Sequence, residues 1–250
     1  MLGKMIWTTV AGIFKKPSSS FIPVEASDEE ITIIEHSRPF TMLSDPRLWA
    51  CISSTKYIVN NDVPGAIVEC GIWQGGASMS MMSTLLLLDA ESREFFLFDT
   101  FKGMTGPSVV DMDPSGVTAT YLMGRTVKKE GSNIWCIAEL DDVKRNVATT
   151  NYPNQLVRFI QGDVTETLEL EENLPNEIAL LRLDTDWYES TKKELNILFP
   201  RLVKGGVCII DDYGHWSGAR RALDEYLLEH QIFPLMHVSD YTGRVFVKHW

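Results

Sequence analysis

Four aspartates give the first indication of chemistry. Asp184 and Asp186 close an apolar run in "LLRLDTDWYES", and Asp211 and Asp212 close a second in "GGVCIIDDY". Carboxylates crowded together repel one another and rise in pKa unless a cation joins them. Hard oxygen ligands, with no His or Cys at zinc spacing, favour Mg2+, with Mn2+ and Ca2+ as alternatives. A carboxylate of this kind can also take a proton from a substrate or cap the next helix. His215, just after "DDYG", is a second candidate base or a bystander at the same rim. Asp99 in "EFFLFD" and Asp163 in "LVRFIQGD" end apolar runs in the same manner. Helix capping accounts for any one of the six aspartates more readily than for all of them.

The stretch "VECGIWQGGAS" (68–78) reads as strand, tight turn and helix. Glycine lets a backbone approach a ligand closely, and a helix N-terminus favours negative charge. A dinucleotide fingerprint needs a middle glycine where Trp73 stands, so a nicotinamide cofactor fits poorly. Glu69, two residues before Gly71, suits a ligand with a cationic or hydroxyl group. Asp99 is placed to accept from a ribose diol, and Asp163 to accept from an adenine amino group.

These residues need a scaffold that brings strand ends together. Short apolar runs at 66–71, 94–99, 156–163, 178–184 and 206–212 alternate with helical patterns at 77–90, 140–151, 189–202 and 217–230. That alternation predicts an α/β fold with a parallel sheet covered on both faces, and ligands bind beyond the carboxyl ends of such strands. Two last strands are expected in "IFPLMHV" and "RVFVKHW", and a helix in "DPRLWACISSTKYIVNN", with Asp45 capping and Pro46 at its first position. Residues 104–136 are rich in Gly, Pro, Ser and Thr and lack clear periodicity. Their place between rim-facing strands suggests a lid or substrate loop, the alternative being a decorative insertion.

Composition narrows the partners. The 250-residue chain carries a net charge of −11. Such a field does not attract a phosphate backbone, so nucleic acid is not expected. No segment has the roughly 18 apolar residues of a membrane span. Cys51, Cys70, Cys136 and Cys208 form no CxxC pair and read as reduced, which suits a cytoplasmic protein. At the N-terminus, Leu2, Met5, Ile6, Val10, Ile13 and Phe14 recur at helical spacing beside Lys4, Lys15 and Lys16. This reads as an extension packed on the domain, or as an interfacial or dimer-contact helix. The Pro/Ser-rich linker "KKPSSSFIP" follows, so residues 1–40 are assigned to an extension and linker and 41–250 to the catalytic domain.

The features of the glycine turn and rim aspartates resemble the class I S-adenosylmethionine-dependent methyltransferases. "IVECGIWQGGAS", "LFDTFKGM", "LLRLDTDWYEST", "GGVCIIDDYGHWSGARRALDEY" and "YTGRVFVK" narrow this to a resemblance to the macrocin O-methyltransferase family, from about residue 40 to the C-terminus. Gln74 stands where that family commonly has Arg, and the 104–136 region matches weakly. The resemblance implies a Rossmann-like fold, a mainly parallel seven-stranded sheet with an antiparallel C-terminal strand. It implies S-adenosylmethionine held by Glu69, Gly71, Trp73, Gly75, Gly76, Ser78, Asp99, Gly162 and Asp163. It further implies a divalent metal, Mg2+ first, on Asp184, Asp211 and Asp212, with Asp186 as general base. The expected substrate is a small-molecule hydroxyl acceptor, glycosyl in kind, and the expected assembly a homo-oligomer. Trp73, Trp187 and Tyr213 are candidates to pack on cofactor or sugar. A metal-dependent hydrolase would explain the metal carboxylates but leave Glu69, Asp99 and Asp163 idle. A non-catalytic nucleoside-binding scaffold would keep only the pocket.

Overall fold

The computed structural model describes residues 22–250. The N-terminal amphipathic pattern and most of the linker lie outside them. The first described helix, α1 (Asp28–Ser37), starts at a capping box in which Ser27 and Glu30 satisfy each other's backbone amides. Its Ile33 and Ile34 are buried with Leu48 and Ile52 of α2 (Asp45–Asn60). Thus residues assigned to the extension pack directly on the domain. At α2 itself, Ser44 is the cap and Asp45 the first helical residue, ahead of Pro46.

The strands are β1 (Ala66–Cys70), β2 (Phe95–Asp99), β3 (Val157–Gln161), β4 (Ile178–Leu183), β5 (Leu202–Ile210), β6 (His237–Val238) and β7 (Arg244–Val247). They form one seven-stranded sheet in the order β3-β2-β1-β4-β5-β7-β6. The first five are parallel, and β7 runs antiparallel to β5. Expected strand 232–238 shrinks to two residues, because Pro234 has no amide to offer a ladder. The other helices are α3 (Gly76–Leu87), α4 (Ala119–Arg125), α5 (Leu140–Ala148), α6 (Val164–Thr167), α7 (Tyr188–Ile197) and α8 (Ser217–Glu229).

Period-two alternation divides the sheet's side chains between two cores. Val68, Cys70, Phe98, Leu181, Leu183, Cys208 and Ile210 pack with α7 and α8 residues such as Leu195 and Leu223. Ile67, Leu97, Leu180 and Ile209 pack with Cys51 and Ile58 of α2 and with α3, whose apolar circumference is buried at Met79, Met81, Met82 and Leu85. The chain winds outward from β1 to β3, then reverses to β4. The crevice of an open α/β sheet lies at that reversal, beyond the C-termini of β1 and β4, where the Gly71 turn and Asp184 meet.

The 104–136 region is pinned to this end of the sheet. Met104, Leu122 and Trp135 pack with buried Ala119, Met123, Trp187, Trp216 and Ala219. Asp111 is fully buried and accepts from the Ser108 amide at 2.6 Å and the Tyr188 amide at 2.8 Å, where α7 begins. A side chain at Gly218 would collide with its carboxylate. The segment therefore docks on the starts of α7 and α8.

Candidate active site

Asp184 and Asp186 follow β4, and Asp212 follows β5. One carboxylate oxygen from each lies within 4.8 Å of the other two. Asp186 has φ +68°, in the left-handed region, which is uncommon for residues other than Gly although Asp tolerates it better than most. Such strain costs on the order of 1–3 kcal/mol and persists where surrounding structure enforces it. The carboxyl of Asp212 is buried, and among the described residues its Oδ2 has no hydrogen-bond partner. Burial lifts Asp184 and Asp212 well above the ordinary carboxylate range, aided by their acidic neighbours. Burial and repulsion from Asp184 and Asp211 raise Asp186 to about 7, against a hydrogen bond with Asp212. An orphaned buried oxygen among three close carboxylates fits a hard dication, which would satisfy and neutralise them together.

Asp211 is placed differently. It shares the β5 face with Ile209 and points toward α2, where Arg47 forms a close ion pair with its Oδ2. Its Oδ1 accepts from Arg182 Nη2 at 2.7 Å. Burial pushes its carboxyl up, but Arg47 and Arg182 outweigh burial and hold it below the usual range. Arg182, fully buried in β4, also contacts Asp184 at 2.8 Å and donates to Glu69 at 2.6 Å. The register sets Glu69 opposite Arg182. Asp211 is thus one strand position from the cluster of three but committed to two guanidinium groups.

The cofactor candidates separate in the same way. Glu69 is buried, occupied by Arg182 and by the Ser78 hydroxyl, so both Glu69 and Ser78 face the interior network rather than an open cleft. Gly71 has φ +82°, and a Cβ there would lie 1.9 Å from the Asp184 carbonyl oxygen. Its glycine is required because the β1 and β4 ends touch, and this contact fixes the turn beside the aspartates. Asp99 gathers that turn: Oδ2 accepts from the Ile72 and Trp73 amides at 2.8 and 3.0 Å, and Oδ1 from Phe101 at 2.7 Å. Burial raises its carboxyl despite these donors. Gly75, in the left-handed region, caps α3, and Gly76 begins it against the Phe40 backbone. Trp73 Nε1 is buried without a partner among the described residues. Gly162 donates its amide to the Asp99 carbonyl, which joins the β2 and β3 ends. Asp163 caps α6 through the Thr165 amide and hydroxyl.

His215 lies on the same rim. Its Nδ1 is 3.1 Å from the Tyr241 hydroxyl and its ring meets Trp216 edge-on. Burial lowers its pKa, against the opposing pull of Asp113. Trp187 is buried against Trp216, with Nε1 donating to the Thr105 carbonyl. Tyr213 donates to Asp224 and lies between Arg220 and Arg244, so it belongs to the α8 surface.

Sequence pattern overlooks Arg47 and Arg182. Arg182 leaves a signal, a charge inside the apolar run "IALLRL". Arg47 leaves none, since an arginine in the first turn of a half-exposed helix is unremarkable. Glu194 of α7 is also missed. It is fully buried, accepts from the Thr185 hydroxyl at 2.9 Å, and is raised by burial to about 8.

Comparison with known proteins agrees with this layout. The profile of the family described as macrocin-O-methyltransferase (TylF) matches residues 25–248. Demethyldecarbamoylnovobiocin O-methyltransferase of Streptomyces niveus is 31% identical over 203 residues, covering 81% of this chain and 73% of its own. A Streptomyces olivaceus enzyme, 8-demethyl-8-(2,3-dimethoxy-alpha-L-rhamnosyl)-tetracenomycin-C 4'-O-methyltransferase, is 31% identical over 209 residues, covering 84% and 75%. The solved structure of the O-methyltransferase NovP superposes with a TM-score of 0.72 at 28% identity, covering 84% of this chain and 83% of that one. With the β1–β4 crevice, the glycine turn and the acidic rim already in place, the chain belongs to the macrocin O-methyltransferase family and is an S-adenosylmethionine-dependent O-methyltransferase.

Proposed function

We propose that this enzyme transfers a methyl group from S-adenosylmethionine to a sugar hydroxyl of a glycosylated small molecule, with a divalent cation, Mg2+ first, at the acidic rim. The observation that carries the metal part is the orphaned Oδ2 of Asp212 beside Asp184 and Asp186. The acceptor class follows the relatives, one of which is named for the 4' position of a rhamnosyl group and another as mycinamicin III 3''-O-methyltransferase. Family membership leaves the hydrolase and scaffold readings without support.

When bound, the cation supplies Lewis-acid polarisation of the acceptor hydroxyl, and S-adenosylmethionine supplies the electrophilic methyl. Asp184 and Asp212 are the carboxylates best placed to hold the ion, with Asp211 behind them as the third member of the expected set. Asp186 takes the hydroxyl proton, a role its left-handed backbone serves by turning the carboxylate back toward the cluster. His215 is the alternative base on the same rim. Gly71 and Asp99 hold the turn that receives the cofactor, and Trp73 Nε1 is a free donor beside it. Fixing donor and acceptor on one rim contributes on the order of 7–11 kcal/mol of barrier lowering. The 104–136 segment acts as the substrate loop over this rim. A homo-oligomeric, cytoplasmic enzyme remains part of the same proposal.

The test is a panel of sugar-bearing acceptors incubated with methyl-labelled cofactor and read by mass spectrometry. Label should enter a glycosyl hydroxyl, stop on EDTA treatment and return with Mg2+. Asp184→Asn should abolish turnover and leave cofactor affinity near that of the parent by calorimetry. Full activity after rigorous chelation would overturn the metal reading.

A further inference from the structure

We propose that Glu194 is a positioning residue for the acidic rim: through the Thr185 hydroxyl it holds the strained turn that presents Asp184 and Asp186 to the divalent cation. The inference rests on the metal reading above and deepens it. The turn has an unusual backbone. The Trp187 amide donates to the Thr185 carbonyl at 2.8 Å, two residues back, with Asp186 between them at φ +68°. That combination is the γ-turn of positive φ, a rare and strained form. Such a conformation persists only where its surroundings enforce it.

Contacts on both sides enforce it. Before the turn, the Asp184 amide donates to the Cys70 carbonyl at 2.9 Å and continues the β1–β4 ladder. After it, the Tyr188 amide donates to Asp111 at 2.8 Å as α7 begins. Between these two, the Thr185 hydroxyl donates to Glu194 Oε1 at 2.9 Å, from a residue nine positions further on in α7. Glu194 is fully buried, and its Oε2 has no hydrogen-bond partner among the described residues. A buried carboxyl with so little compensation costs stability that an apolar side chain would not. Its helix neighbours Leu195 and Leu198 are apolar and sit in the core. Glu194 is therefore explained by the turn it holds and not by packing. Side chains that orient metal ligands from behind set metal affinity by roughly ten- to hundredfold. Burial raises Glu194 to about 8, so Gln reproduces both its shape and its charge at pH 7.

Calorimetric titration of the full-length enzyme with MgCl2, and separately with S-adenosylhomocysteine, tests this. Thr185→Val keeps the shape, removes the hydroxyl and should weaken Mg2+ binding about tenfold. Glu194→Leu should do the same, and the double variant should bind no more weakly than either single one, because both remove one shared hydrogen bond. Glu194→Gln still accepts from Thr185 and should stay within about twofold of the parent. Affinity for S-adenosylhomocysteine should stay within about twofold throughout, since Asp99 holds the glycine turn independently. If Glu194→Leu does not fold, Thr185→Val and Glu194→Gln decide the matter. Parental Mg2+ affinity in Thr185→Val, additive losses in the double variant, or a tenfold loss in Glu194→Gln would overturn the positioning role while leaving the metal site intact. Joint loss of both affinities in Thr185→Val would overturn it too, as a general disturbance of the rim. Absence of Mg2+ binding by the parent would overturn the metal reading itself, and the positioning role with it.

Discussion

Two groups of carboxylates sit within one rim and are held in opposite ways. On the α2 side, Glu69 and Asp211 are buried beside Arg182, and Arg47 closes the network. On the open side, Asp184, Asp186 and Asp212 approach one another with a single arginine contact, from Arg182 to Asp184. The first group has its counter-charge built into the chain. The second does not, and repulsion and burial raise its pKa values instead. Glu194 shows a third solution, a buried carboxyl that keeps its proton. Buried carboxyl groups near one end of the sheet are thus stabilised by a guanidinium, as at Glu69 and Asp211, or by a proton, as at Glu194, while the cluster of three is the proposed seat of an external cation. The direction of the side chain decides between the guanidinium and the cleft: Asp211 and Asp212 are neighbours just past β5, yet Asp211 meets Arg47 and Arg182 whereas Asp212 meets Asp184 and Asp186.

The comparison is most severely tested by removing the internal cation. Arg182→Met should strand Glu69 and Asp211 and destabilise the fold by about 3–5 kcal/mol, the penalty for breaking a buried pair from one side. Thermal or urea denaturation reads this directly, and a loss below about 1 kcal/mol would erase the distinction between the groups. A pH series on Glu194 is next. Its folded pKa of about 8 exceeds the ordinary 4.5, so the native state holds a proton that the unfolded chain lacks between those values. Stability should therefore fall as pH rises through that window and level off above it. Glu194→Gln, a neutral isostere, should flatten that decline, which melting curves from pH 5 to pH 9 would reveal. The smallest effect has the opposite sign from the first. Asp212→Asn should stabilise the metal-free protein by roughly 1 kcal/mol, since it relieves repulsion in a cluster whose single arginine contact reaches Asp184 and not Asp212. The same variant should lose the stabilisation that Mg2+ gives the parent, by equilibrium linkage.

Much of the rim was legible because aspartates ending β-branched and apolar runs are conspicuous. All six fall at strand ends or just beyond them, as the alternating pattern requires. The pattern did not show what each one touches. Asp99 and Asp163 spend their oxygens on backbone amides, and Glu69 and Ser78 satisfy each other inside the core. The glycine turn was readable as a close approach, although at Gly71 the surface approached is the Asp184 backbone. Residues 104–136 had no readable period because they are held by irregular bonds among themselves, such as Met104 to the Trp135 carbonyl and Trp135 to the Thr126 carbonyl, and by contacts with α7 and α8, and not by one long helix or strand.

The sequence by itself determined the order of strands and helices, the parallel sheet and the placing of acidic residues at one end of it. These follow from local periodicity, since burial on both faces of a strand leaves a continuous apolar run and each break in it marks an edge. Only the tertiary structure decided which aspartates are paired and which are not. That choice depends on Arg47 in the second helix reaching a strand 164 positions later and on the register that sets Glu69 beside Arg182. Coulomb energies depend on distance in space and on burial, and neither is written in the spacing of residues along a chain.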